Sequence, residues 1–196
     1  MADLELSFRR YDRIGAREQR DLIVGIYTDA YADAVNSADP FETVDAFLTR
    51  FDAYTRHDGF DLVIAYHGEE PMGQTFGWPL SPPDGGWWRY LTAEVEPGWT
   101  HETGRRTFAL SEIMVCRAWT GRGVARALHD ELLGGRRETR AVLLVRPDNE
   151  NAYRAYRRWG WSKISRLRGG WEDAPLFDVL TIDLPLAPKS VRVEGK

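Results

Sequence analysis

The sequence predicts an α/β fold with a mixed β-sheet, on two observations. Residues 62–78 contain two apolar runs separated by turn residues, which is the pattern of an antiparallel hairpin. Residues 107–145 contain two further apolar runs separated by a helical repeat, which is the pattern of a βαβ unit with parallel strands. A length of 196 residues suits one domain with a full core, so we assign residues 1–196 to a single domain.

The residues before the hairpin are expected to form one strand and two helices. Residues 4–8 alternate apolar and polar side chains, as a half-buried strand does. Residues 17–34 carry an apolar stripe at helical spacing. Asp39 and Pro40 mark a helix start, with the aspartate as N-cap and the proline at the first helical position. This second helix is expected to end near His57.

The hairpin strands are expected at residues 62–67 and 72–78, and an irregular segment follows at residues 79–106. Prolines and glycines interrupt every periodic run in this segment. Irregular connections of this length are usually functional or disordered, and the tryptophans of this one argue against disorder.

The second half of the chain contains the expected βαβ unit. Its strands lie at residues 107–116 and 141–145, on either side of the helix that carries Val124, Leu128 and Leu132. The remaining expected elements are a helix that begins at about Asn149, strands at residues 162–167 and 176–184, and a polar tail from about residue 186.

Composition argues against several classes of protein. A net charge of −4 is unlike the basic domains that bind nucleic acids. No apolar run approaches the ~20 residues of a membrane span, and the four histidines show no zinc-site spacing, so neither a membrane nor a metal partner is expected. The single cysteine, Cys116, excludes an internal disulfide and suits the cytoplasm, where we expect the protein, without a signal peptide.

A glycine-containing loop joins the first strand of the βαβ unit to its helix. The start of a helix has free backbone N–H groups and a positive dipole end, which favour an anion. Gly121 and Gly123 would let a phosphate approach this backbone closely. A Rossmann dinucleotide site is the weaker interpretation, because Arg126 stands where a third glycine is needed.

The loop resembles the acyl-CoA pyrophosphate loop of the GNAT superfamily of N-acyltransferases. The family pattern is Gln or Arg, two residues, Gly, one residue, then Gly or Ala. Gly123 and Ala125 match it, and Thr120 stands in place of the Gln or Arg. The resemblance covers about residues 107–165 and includes a second family signature, whose conserved positions are here Asn149, Ala152, Tyr156, Gly160 and Trp161.

The resemblance implies a GNAT-like, mostly antiparallel sheet with flanking helices, whose central pair of parallel strands splays to admit acetyl-CoA. It also implies that pantetheine pairs with the end of the central strand, that the loop binds the pyrophosphate, and that an N–H near Val115 meets the oxyanion. The implied cofactor-binding residues are Met114, Val115, Cys116, Thr120, Gly121, Arg122, Gly123, Val124, Ala125, Arg126, Asn149 and Tyr156.

Tyr156 is the candidate general acid. A phenol, with an ordinary pKa of about 10, can protonate a departing thiolate if it lies near the sulfur. The family resemblance favours this role. Packing is the alternative, because Tyr156 shares a helix face with Ala152 and Trp159.

Glu112 is the candidate general base. Alternation along the central strand puts Glu112 on the same face as Phe108, Leu110 and Met114. A carboxylate on an apolar face needs a compensating partner or a functional reason. Glu112 is therefore either the base that deprotonates an ammonium group or one half of a structural salt bridge to an arginine.

The acceptor is expected near residues 78–102, where aromatic side chains alternate with carboxylates, since both favour a cationic amine. A lid whose tryptophans pack on the sheet explains the same pattern, and Phe41, Phe47 and Tyr54 are assigned to the helix core rather than a pocket. The expected substrate-binding residues are Trp78, Trp87, Trp88 and Glu94.

Two further features are assigned mainly structural roles. Cys116 is a possible nucleophile, but no histidine lies near it in the sequence, so inert packing is preferred. Arg136, Arg137 and Arg140 are expected at a solvated helix end, with contact to the 3′-phosphate of the cofactor as the alternative.

The function that these features predict is an N-acetyltransferase. It would move an acetyl group from acetyl-CoA to the primary amine of a small molecule or peptide, by direct attack in a ternary complex, and a homodimer is possible. Two alternatives stay open: a non-catalytic acyl-CoA-binding or sensing module, and a protein-interaction domain that uses the tryptophan-rich loop 78–102.

Overall fold

The chain forms one mixed sheet with helices on both faces in the computed structural model, which describes residues 5–35, 39–82, 86–170 and 174–186. The seven strands are β1 (Ser7–Asp12), β2 (Asp61–His67), β3 (Glu70–Pro79), β4 (Thr107–Val115), β5 (Arg140–Val145), β6 (Ser162–Arg168) and β7 (Leu176–Asp183). The helices are α1 (Arg13–Glu18), α2 (Arg20–Ala30), α3 (Ala32–Val35), α4 (Val44–Tyr54), α5 (Val124–Leu133) and α6 (Glu150–Arg158). Residues 187–196, most of the expected polar tail, lie outside the described part.

The sheet has the order β1-β2-β3-β4-β5-β7-β6, and among the strands of the described residues only the central pair β4–β5 is parallel. This confirms the mixed, mostly antiparallel sheet. The parallel ladder runs only from the pair Thr107–Arg140 to the pair Ala109–Val142. Beyond Ala109 the two strands separate, which confirms the expected splay.

A β-bulge interrupts β4 at the point where the splay begins. Phe76 of β3 pairs with Glu112, whereas the next residue, Gly77, pairs with Leu110, so Ser111 is an extra residue. The backbones approach so closely here that a Cβ on Gly77 would lie 2.2 Å from the carbonyl oxygen of Ala109. Only glycine fits at that position.

The bulge makes the expected alternation along β4 wrong. Phe108 and Leu110 belong to the core beneath α5, whereas Met114 belongs to the opposite core beneath α2 and α4. Glu112 lies two residues before Met114, after the bulge, and therefore shares its face with Met114 alone of those three residues.

The helices before the hairpin begin and end at positions that the sequence pattern did not predict. The predicted helix over residues 17–34 is divided into α1, α2 and α3, and it starts earlier because the Asp12 side chain accepts the N–H groups of Ile14 and Gly15. Asp39 caps only a short 3₁₀ turn. Thr43 caps α4, which ends at Tyr54 rather than near His57.

The tryptophan-rich loop is irregular, as predicted, and one buried carboxylate ties it to the sheet. An oxygen of Glu102 accepts hydrogen bonds from Trp88 Nε1 (3.1 Å), Thr107 Oγ1 (2.9 Å) and Arg140 Nη2 (3.1 Å). The Arg140 guanidinium also lies 3.7 Å from the ring centroid of Trp99. The loop is therefore anchored at the start of β4.

Candidate functional site

A cavity of about 900 Å³ opens where β4 and β5 separate. Helices, strands and the tryptophan-rich loop all contribute to its wall. Representative lining residues are Tyr27 (α2), Arg50 (α4), Trp87 (the loop), Glu112 (β4), Leu144 (β5) and Tyr156 (α6). The separation of the parallel strands thus brings the two predicted proton-transfer residues to the same cavity.

Glu112 is a carboxyl group with an unusual electrostatic environment. Burial raises its pKa to about 7, Arg50 acts in the opposite direction, and Glu42 raises the pKa further. Among the described residues, no cationic side chain lies within 4.0 Å of the Glu112 carboxylate, so Glu112 forms no ion pair there. A carboxyl that ionises near neutral pH is suited to accept a proton.

Tyr156 lies on α6 and contributes to the same cavity wall. Burial raises the pKa of its phenol, and the charge of Glu112 raises it further, so the phenol keeps its proton at neutral pH. Its ring also packs edge-on against Trp159, with a centroid distance of 5.6 Å. Packing and a position at the cavity are therefore compatible for this residue.

A buried histidine fixes α6 against α5. Trp161 Nε1, which can only donate, donates a hydrogen bond to Nε2 of His129 (3.0 Å). The proton of the neutral imidazole is therefore on Nδ1, which donates to Asp130 Oδ1 (2.9 Å), and burial lowers the pKa of His129. Trp161 ends the second sequence motif, so this contact ties the motif to the helix after the glycine loop.

The glycine loop has the conformation that its sequence demands. Gly121 and Gly123 have φ angles of 73° and 85°, in the left-handed region that favours glycine. A Cβ at either residue would meet no atom within 4 Å, so open space lies over the loop. Gly123 is the N-cap of α5, and the first N–H groups of that helix, from Gly123 to Arg126, have no intrahelical partner.

The loop side chains are held by neighbours within the fold. Thr120 Oγ1 donates to the carbonyl of Arg117 (2.9 Å), and Arg126 forms an ion pair with Asp130 (2.7 Å). The Arg122 guanidinium lies 5.1 Å from the ring centroid of Trp119. Anion binding at this loop would therefore depend first on backbone N–H groups, and Arg122 is an exposed cation in the same loop.

The end of β4 presents backbone rather than side chains on its β5 side. The Met114 side chain is buried, with its sulfur 3.3 Å from Gln74 Nε2. The edge of β4 that includes Val115 has no β5 partner, because the parallel ladder stops at Ala109. Burial, reinforced by Asp29, raises the pKa of the Cys116 thiol to about 11, which argues against the thiol as a nucleophile.

Of the four expected substrate residues, only Trp87 lines this cavity. Trp78 is buried and stacks on Tyr54, at a centroid distance of 4.4 Å. Trp88 is buried on Glu102, and Glu94 lines a separate shallow hollow beside Pro97. Trp78 and Trp88 were expected at the acceptor because the sequence does not reveal which indoles face the core.

The arginines after α5 also differ from expectation. Arg136 forms ion pairs with Asp61 and Glu138, each at 2.8 Å, and Arg140 is bound to Glu102. Both are mostly buried, and Arg140 lies at the start of β5, opposite the end where the glycine loop follows β4. The expectation of a solvated helix end is wrong for these two, whereas Arg137 is exposed.

The cavity wall formed by α2, α4 and the 3₁₀ turn at Pro40–Glu42 was not predicted from the sequence. Phe41 and Tyr54, which were assigned to the helix core, line the cavity together with Glu42 and Arg50, whereas Phe47 is in the core. The capping pattern at Asp39–Glu42 gave the glutamate a sufficient local explanation. One feature of the sequence could have indicated that α4 contributes to a pocket. Arg50 and Tyr54 are four residues apart, so they lie together on a helix face next to the apolar stripe of α4.

The chain matches one protein-family model and is similar in fold to several solved acetyltransferase structures. The family model described as acetyltransferase (GNAT) family matches residues 23–161. The ribosomal-protein-alanine N-acetyltransferase from Brucella melitensis is 17% identical, with a TM-score of 0.61 over 91% of this chain and 99% of that chain. The spermidine N-acetyltransferase from Vibrio cholerae is 13% identical, with a TM-score of 0.58 over 91% of this chain and 93% of that chain.

The PaiA N-acetyltransferase from Thermoplasma acidophilum, solved in complex with coenzyme A, is 7% identical, with a TM-score of 0.56 over 91% of this chain and 99% of that chain. At such identities the structural likeness shows the fold alone. No curated protein gives a significant match. Within the described residues, no helix is long and apolar enough to cross a membrane, and no cluster of three metal-ligating side chains is found.

Proposed function

Because the chain belongs to the acetyltransferase (GNAT) family, we propose that it transfers an acetyl group from acetyl-CoA to a primary amine by direct attack in a ternary complex. The observation that carries this proposal is the meeting of Glu112 and Tyr156 at one cavity, where β4 and β5 separate. The two residues come from different elements, and the charge of Glu112 affects the phenol of Tyr156.

The cofactor site is proposed along β4 and over the glycine loop. Acetyl-CoA would supply the acetyl group as a thioester. The unpaired edge of β4 near Val115 suits the amides of pantetheine, which can pair with backbone as an added strand does. The N–H groups at the start of α5 and the open space over Gly121 and Gly123 suit a pyrophosphate.

Glu112 would act as the base toward the acceptor. An alkylammonium group has a pKa near 10.4 and must lose a proton before it attacks. Raising the pKa of Glu112 from 4.5 to about 7 reduces the pKa difference between the ammonium group and the carboxyl. The free energy of the proton transfer becomes more favourable by roughly 3 kcal/mol. The raised pKa still leaves a large part of the carboxyl ionised at neutral pH.

Tyr156 would act as the acid toward the leaving group. Its phenol is protonated at neutral pH and lines the cavity, so it can donate to a developing thiolate. The raised pKa makes this phenol a weaker acid than an ordinary tyrosine, so the role depends on the position of the phenol beside the leaving group. A backbone N–H near Val115 is the proposed donor to the oxyanion, because this edge of β4 is free of β5. Asn149 would act through position, since its side chain caps α6 and so fixes the helix that carries Tyr156.

The first test is calorimetric titration with acetyl-CoA, followed by a thiol-release assay with primary amines. One-to-one binding by the native protein, lost in Gly123→Leu, is expected if the loop holds the pyrophosphate. A leucine at φ 85° is also strained, so the melting temperature of the variant must be measured beside its affinity. Unchanged affinity in a folded Gly123→Leu variant would exclude this loop.

Turnover separates the proposed enzyme from its alternatives. Tyr156→Phe and Glu112→Gln should keep acetyl-CoA binding and lose thiol release, whereas Tyr153→Phe, a tyrosine of α6 that packs in the core beneath α5, serves as the matched control. Binding without turnover of any amine would favour the acyl-CoA-binding or sensing module. Absence of binding would favour the protein-interaction domain.

A further inference from the structure

The acceptor side of the cavity has aromatic walls that are backed by other rings. Tyr27 stacks on Phe47 with a centroid distance of 4.0 Å, and Tyr54 stacks on the buried Trp78 at 4.4 Å. Trp87 meets Trp78 edge-on at 6.0 Å. Because each lining ring is held by a ring behind it, this part of the wall is a fixed apolar surface. It suits a flat or apolar body rather than a hydrated chain.

Carboxylates outnumber cations around the same part of the cavity when the groups that hold the lining arginines are included. Glu42 and Glu112 are the lining carboxylates, and Arg50 affects the pKa of both. The other lining cation, Arg146, lies 3.9 Å from Glu42 and is held more closely by Asp39 (3.1 Å) and Asp148 (3.2 Å). Arg50 and Arg146 thus serve four carboxylates, so this part of the cavity has an excess of negative charge when all four are ionised.

Arg50 is poorly placed to receive a substrate carboxylate. Its Nη1 donates to the carbonyl of Phe41 (2.7 Å), and its guanidinium carbon lies 4.0 Å from the Phe41 ring centroid. Its Nε has no hydrogen-bond partner but is buried from contact with even a water-sized group. A carboxylate brought to this arginine would also approach Glu42 and Glu112, which would repel it.

We infer that the acceptor is a primary amine on an aromatic or apolar body that carries no carboxylate, with Glu42 as the residue that binds its ammonium group. The inference rests on the proposed function and deepens it. Burial raises the pKa of Glu42, which indicates that its charge is incompletely compensated despite Arg50 and Arg146. An ammonium group at Glu42 supplies that compensation, and the lining rings add cation–π attraction.

The test is a thiol-release assay on the full chain with three matched probes. The probes are 2-phenylethylamine, phenylalanine, which adds a carboxylate to the same frame, and 1,4-diaminobutane, which replaces the ring by a second ammonium group. We expect kcat/KM for 2-phenylethylamine to exceed that for phenylalanine by about 100-fold and that for the diamine by about 10-fold.

Glu42→Gln tests the assigned residue. At pH 8 the KM for 2-phenylethylamine should rise about ten-fold with kcat changed less than two-fold, because Glu42 binds the ammonium group and Glu112 is ionised at that pH with or without the charge of Glu42. Glu69→Gln is the control, since Glu69 is exposed on the β2–β3 turn beside Arg9. A fall in kcat with an unchanged KM would overturn the assignment of Glu42.

The outcomes for the acceptor and for the proposed function are distinct. Equal or better turnover of phenylalanine or of 1,4-diaminobutane would overturn the inference and leave the acetyltransferase in place. Turnover of no amine by a protein that binds acetyl-CoA would overturn both. Turnover confined to 2-phenylethylamine, with the expected KM effect of Glu42→Gln, would support the inference.

Discussion

Replacing Glu112 by glutamine should stabilise the protein at alkaline pH while it removes activity. The folded carboxyl has a pKa of about 7, against an ordinary value of 4.5, because burial disfavours its charge. Between these pH values the unfolded chain binds fewer protons than the folded chain, so stability falls as the pH rises. The shift of about 2.5 pKa units is equivalent to roughly 3 kcal/mol above pH 7. Partial exposure to the cavity reduces the expected gain to about 1–3 kcal/mol.

The assay is urea unfolding of the native protein and Glu112→Gln at pH 5, 6, 7 and 8. The difference in unfolding free energy should be small at pH 5 and grow to its full value at pH 8, since glutamine has no charge to desolvate. Glu131→Gln, a partly exposed glutamate on α5, is the control and should show no such growth. If Glu112→Gln is less stable than the native protein at pH 8, the carboxylate is a partner of Arg50, and the argument for a base fails.

Three further outcomes follow from the site. The kcat/KM of the native protein should rise with pH through about 7, where Glu112 ionises; a flat profile in stopped assays between pH 6 and 8 would remove Glu112 from the mechanism. Tyr156→Phe should lower kcat by about 10²–10³-fold with little change in acetyl-CoA affinity, and full turnover by this variant would show that another group is the acid. His129→Leu should lower the unfolding free energy by about 1–3 kcal/mol, because Trp161 Nε1 is left without its acceptor; an unchanged urea midpoint would contradict this.

The βαβ unit and the loop after β4 could be predicted from the sequence because their signals are local. Apolar runs defined the strands, and the glycines at 121 and 123 marked the turn into α5. Tyr156 was found because its motif fixes its place on α6. These signals depend on neighbours along the chain, which the sequence displays directly.

The part of the cavity wall that contains Glu42, Arg50 and the lining rings could not be predicted in the same way. It is created by contacts between elements that are far apart in the sequence. Glu42 had a sufficient local explanation as part of a capping pattern, and nothing local shows that α4 brings Arg50 beside it. The tryptophans of the loop look alike in the sequence. Trp87 lines the cavity, whereas Trp88 is buried and its indole N–H donates to Glu102.

The bulge in β4 has a consequence for how the site tolerates change. Ser111 has no partner residue in the β3 register, so replacement by another small residue should leave the strand pairing intact. Its removal would make Leu110 and Glu112 consecutive residues opposite Gly77 and Phe76, so Glu112 and the residues after it would keep their pairing and their faces. What the strand would lose is the local bend that the extra residue gives it, at the point where β4 leaves β5. The face of the carboxylate is therefore fixed by its pairing with Phe76, whereas the extra residue shapes the opening between the two parallel strands.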